Sequence, residues 1–75
     1  MLNMSKQELE KTYFVSFCIE QFKKHRNITG NEAAELLYSA NICTYLNDNY
    51  EILHTQSRQW IIEEIEERLK LAESK

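Results

Sequence analysis

His54, Thr55, Gln56 and Ser57 stand in a row at the end of "YEILHTQS", residues 50–57. An imidazole, two hydroxyls and an amide are the residue types of nucleophilic catalysis. A nucleophile also needs an oriented base and a place that stabilises developing charge. Those parts are assembled in space, so adjacency along the chain does not make a triad. The sequence holds no Gly-rich phosphate loop and no G-x-S-x-G turn. A short chain also has little room for a closed pocket of the usual ~300–1,000 Å³. The expectation is a protein that is not an enzyme and carries no cofactor. As a polar joint between helices, every residue of the row has a use. Thr55 or Ser57 would cap the next helix by accepting from amides of its first turn. Gln56 would satisfy a neighbouring backbone group. His54 would bond across the link to a free carbonyl at the end of the third helix or of the first. The same geometry is compatible with a recognition site for another protein.

The remaining side chains with chemical potential are scattered. Cys18, Cys43, His25 and His54 lack metal-ligand spacing, so no metal site is expected. Each cysteine sits in an apolar-rich segment. Two buried thiols in a reduced, cytoplasmic protein are the favoured reading, and a disulfide is the alternative. No apolar run approaches the ~20 residues of a membrane span. The first eleven residues, "MLNMSKQELEK", lack the basic-then-apolar order of a signal peptide.

These groups must be positioned by helices. The 75 residues include no proline and one glycine, and predict one domain over residues 1–75. Hydrophobic residues are 43 %, enough for a core, although a chain this short has limited stability. Ser5 and Glu8 form a capping-box pattern, and a first helix should run from there to about His25. Its apolar arc is wide, with Phe14, Phe17, Cys18 and Phe22 expected inward and Thr12, Ser16, Glu20 and Lys23 facing solvent. Lys23 to Arg26 complement the helix dipole. Thr29 and Glu32 repeat the box and start a second helix, with Ala33, Leu36, Leu37 and Ala40 as its stripe. Asn41 is a left-handed stop. A short third helix follows from Ile42 to about Asn47, and Asn47–Asn49 is turn chemistry. Tyr50 to Leu53 reads as a single turn or an extended link. The last long helix should begin near Thr55 or Ser57 and end near Ala72, with Ile61, Ile62, Ile65, Leu69 and Ala72 inward. Glu64–Arg68 and Glu66–Lys70 are attractive i, i+4 pairs on it. The expected fold is all-α: a compact bundle of four helices, the third short and the first central.

Trp60 falls away from most of the Ile65 stripe, close to Leu71 and between Glu64 and Glu67 on the helical wheel. It either folds back over the preceding joint or is an exposed aromatic anchor for a partner. Four segments resemble a family of short bacterial proteins, common in Firmicutes, classed as a domain of unknown function. They are "FVSFCIEQF", "ITGNEAAELL", "YLNDNYEILHTQS" and "IIEEIEERL". The Leu-His-Thr-Gln segment is the most specific, while the N-terminal dozen residues and the tail after Leu71 carry least weight. The resemblance implies an accessory or antitoxin-like role, binding a protein encoded alongside, some such neighbours resembling ADP-ribosyltransferases. It supplies no catalytic residues.

The net charge is −3, and no Lys or Arg lies between Asn27 and Ser57. That disfavours nucleic acid and anionic membranes as partners. The leading expectation is therefore a protein-interaction module for another bacterial protein, with Trp60, Glu64, Glu67, His54 and Gln56 as candidate contacts. A small helix-turn-helix-like DNA-binding regulator and a self-assembling homodimer are the alternatives.

Overall fold

In the computed structural model, residues 5–73 are described. Residues 1–4, part of the segment inspected above for a signal peptide, lie outside them. The described chain forms five helices and no strand. They are α1 (Lys6–Arg26), α2 (Gly30–Ser39), α3 (Ile42–Asp48), α4 (Tyr50–Leu53) and α5 (Arg58–Glu73). The one-turn α4 is the addition to the four expected helices.

Local signals set most of these boundaries. Ser5 Oγ accepts from the Glu8 amide at 3.1 Å, and the Glu8 carboxylate accepts from the Ser5 amide at 3.0 Å. Thr29 and Glu32 repeat both bonds at the same distances. Both boxes satisfy amides that a helix N-terminus leaves without partners. At the end of α1, Asn27 adopts a left-handed conformation with φ 56°. The Asn27 and Ile28 amides then donate to Lys24 O and Lys23 O, a Schellman ending. Asn41 closes α2 in the same left-handed region with φ 60°. Between α3 and α4, the Asn49 side chain donates to Tyr45 O at 2.9 Å. That carbonyl also accepts from the Asn49 amide. Competition of this kind is why Asn is a poor helix former. The chain bends at φ −111° there before one further turn.

The α1 helix is central, packing against α2, α3 and α5. Its Phe14, Cys18 and Phe22 meet Ala33 and Leu37 of α2, Ile42, Cys43 and Leu46 of α3, Leu53 of α4, and Ile61, Ile62, Ile65 and Leu69 of α5 in one core. Three expected core positions are exposed, and Ala40 is part-buried against the core. Phe17 is 45 % exposed, Leu36 is 37 % exposed, and Ala72 is exposed. Phe17 lies on a sector of α1 that no other helix covers, Leu36 on the outer edge of α2, and Ala72 in the last turn of α5.

Both cysteines are free and buried. Burial, with a smaller contribution from nearby Cys43, pushes the Cys18 thiol up to about 12. Burial raises the Cys43 thiol as well. Since the thiolate is the reactive species, neither cysteine should react with iodoacetamide in the native protein, and both should react in denaturant. Rapid stoichiometric alkylation of the folded chain, read by intact mass, would contradict this packing.

Candidate interaction surface

The His54–Ser57 joint is built from local bonds. Nδ1 of His54 lies 2.7 Å from Tyr50 O, so that nitrogen carries the proton and donates. The partner carbonyl belongs to α4 itself, not to α1 or α3. The imidazole also stacks on the Tyr50 ring, with centroids 4.5 Å apart. Tyr50 in turn meets Phe14 edge-on at 5.5 Å. Thr55 Oγ1 donates to Ile52 O at 2.8 Å, and the Gln56 amide donates to Leu53 O. Ser57 Oγ accepts from the Trp60 amide at 3.1 Å and caps α5. The side chains of His54 and Thr55 and the backbone amide of Gln56 therefore close α4, and the Ser57 side chain opens α5. Gln7 Nε2 donates to Glu51 at 2.8 Å, tying α4 to the start of α1. His54 and Gln56 themselves are exposed.

The four residues Trp60, Glu64, Glu67 and Leu71 are spaced i, i+4, i+7 and i+11, which places them along one face of α5. Trp60 is 40 % exposed and Leu71 58 %, and Glu67 is exposed. Glu64 has internal work. Its carboxylate accepts from the Tyr45 hydroxyl at 2.7 Å and from Arg68 Nε at 3.3 Å. The Arg68 guanidinium lies 3.3 Å from the centroid of the Tyr45 ring. This cluster links α3 to α5. Burial, followed by the bond to Glu64, raises the Tyr45 hydroxyl above its ordinary value.

Glu66 is likewise engaged, by partners from the end of α1. Arg26 reaches it with two bonds, of 2.6 and 2.8 Å, while His25 Nε2 lies 3.6 Å away. The Arg26 bond holds the Glu66 carboxyl below its usual range. A carboxylate with a depressed folded value contributes stability that is present above the unfolded value, 4.5, and is lost as pH falls through the folded one. The pair is part-exposed and screened by water, so its contribution is under about 1 kcal/mol. Arg26→Ala should lower the urea midpoint at neutral pH and narrow its gap to wild type in acid. A gap that stays constant with pH would show that the pair does not contribute in this way.

The surface carries open grooves rather than enclosed chambers. One, of about 410 Å³, lies beside the Arg26–Glu66 pair; another, of about 300 Å³, runs between α1 and α3. Among the described residues, no three His, Cys, Asp or Glu are grouped to hold a metal ion. Nor is any described helix long and apolar enough to cross a membrane.

Fold and surface together define a class: a small all-α domain with a hydrogen-bonded polar joint and one exposed tryptophan on its last helix. The chain belongs to the family described as protein of unknown function (DUF3791), whose model matches residues 13–71. The match spans α2, α3, α4 and most of α1 and α5, including the whole joint. No curated protein and no solved structure matches the chain.

Proposed function

We propose that this domain is a binding module rather than an enzyme, and that α5 presents its contact surface to another bacterial protein. The observation that carries the reading is Trp60, a large aromatic 40 % exposed on the same helix face as Leu71 and Glu67. Tryptophan contributes a large contact area at low rotamer cost, which is why it is frequent among binding hot spots. A helix face with exposed residues at i, i+7 and i+11 suits a groove on the partner. Exposed Glu63 and Glu67 beside the anchor, on a chain of net charge −3, favour a basic groove. The family resemblance supports the finer form of this reading, an antitoxin-like or accessory protein that restrains a neighbouring gene product.

The DNA-binding alternative has less support. The outward residues of α2, α3 and α4 include Glu32, Glu35, Asp48 and Glu51, with no Lys or Arg from Asn27 to Ser57. A recognition helix of this composition would repel phosphates.

The test is a tagged pull-down at native expression in the source organism, with Trp60→Ala run in parallel. One stoichiometric protein retained by the wild type and lost from the variant supports the reading. Equal recovery with both chains, or no protein with either, removes it.

A further inference from the structure

We infer that the exposed face of α1 is a self-complementary surface on which a second copy of this chain docks antiparallel. The inference is separate from the α5 reading and uses the opposite side of the molecule's logic: residues that the core leaves unused. Leu9, Tyr13 and Phe17 repeat every four residues along α1 and are 41 %, 66 % and 45 % exposed. At i, i+4 spacing they form one continuous apolar strip. The strip faces away from the Phe14–Cys18–Phe22 line that meets α2, α3 and α5. A single helix would have no use for aromatic residues there.

Charge selects the occupant and the register. Glu10, Phe17 and Lys24 are seven residues apart, so they lie on the same side of the helix, acid at one end and base at the other. Glu10 and Lys24 are both exposed, and the Lys24 ammonium is 4.0 Å from Glu20, the outer limit of an ion pair. A two-fold axis through Phe17 brings the two Phe17 rings together and sets each Glu10 opposite Lys24 of the second copy. Of the other alignments, an axis through Tyr13 also sets opposite charges together, Lys6 against Glu20, but Glu20 is already paired with Lys23 at 3.3 Å. Two more are penalised. An axis between Tyr13 and Phe17 places Lys6 against Lys24 and Glu10 against Glu20. A parallel pairing places each charge against itself. Like charges held opposite one another disfavour both. A two-fold contact uses the same patch twice, so one helix with opposite charges at its two ends supplies both halves. The contact is one helix long, smaller than the ~800 Å² per partner of a standard interface. The dimer is therefore weak and forms reversibly.

Sedimentation equilibrium of the purified full chain tests this without reference to any other protein, so its result is independent of the pull-down. The wild type is expected to shift from monomer to dimer between tens and hundreds of micromolar, and less so in high salt. Glu10→Lys alone and Lys24→Glu alone each set like charges across the axis and weaken the dimer by roughly tenfold or more. The combined Glu10→Lys, Lys24→Glu chain restores it, because opposite charges face each other again. Phe17→Ser removes the dimer while circular dichroism stays helical. A wild type that remains monomeric over the whole range overturns the inference. So does a combined variant as weak as the single ones, or a Phe17→Ser chain that dimerises like the wild type.

Discussion

Replacing Phe22 by alanine is expected to remove about 3–5 kcal/mol of folding free energy. Phe22 is fully buried and is the largest side chain so enclosed. It sits in the last third of α1, the helix that α2, α3 and α5 all pack against. Truncation loses the transfer free energy of the ring and leaves a cavity that three helices would have to close by moving. It also removes the ring under the Arg26 guanidinium, 5.1 Å from its centroid. A chain of this length has a total stability of about 4–11 kcal/mol. The variant should therefore be largely unfolded, or unfold at very low urea. Phe17→Ala is the internal control. The two residues lie within two turns of the same helix, but Phe17 is 45 % exposed and its loss should cost under about 1 kcal/mol. Urea titrations followed by circular dichroism give both numbers. Equal losses at the two positions would contradict the arrangement of α1 in this fold.

The second large effect concerns binding. Once the partner is in hand, Trp60→Ala should weaken the complex by at least about 2 kcal/mol, or roughly thirtyfold. Adding Glu67→Lys should weaken it further and make the remaining affinity less sensitive to salt, since a basic groove would then meet a cation. Glu67 is the correct charge to reverse, and Glu64 is not. Glu64 holds Tyr45 and Arg68, so its reversal would disturb the α3–α5 contact and confuse binding with folding. Trp60 and Glu67 are both exposed, so their variants should keep the helical signal of the wild type. Titration calorimetry with the purified partner decides the matter: an unchanged affinity in the double variant would place the contact elsewhere on the molecule.

Much of this protein was determined by the sequence alone, because the responsible interactions are local. The capping boxes at Ser5–Glu8 and Thr29–Glu32 each close within four residues, so the residue types announce the helix starts. The left-handed stop at Asn41 and the cap at Ser57 are likewise short-range, as is the break at Asn49, two residues later than the start of the expected turn. The buried line of Ile61, Ile62, Ile65 and Leu69 follows from helical periodicity. What periodicity cannot decide is which sector of an apolar helix acquires neighbours. On α1 the apolar arc runs most of the way round, and only the placement of the other helices left Phe17 outside and took Phe14 in. Pairing across elements is beyond sequence for the same reason. Periodicity offers Glu66 the local Lys70 and gives no sign of Arg26, which it meets from 40 residues away in sequence. Glu64 acquired Tyr45 from another helix, which changes its part in the candidate surface from contact to support. His54 shows the opposite case: a long-range bond was expected, and the carbonyl four residues back supplied it. Local geometry is encoded in residue type and spacing, whereas the choice among equally plausible partners is made only when the helices pack.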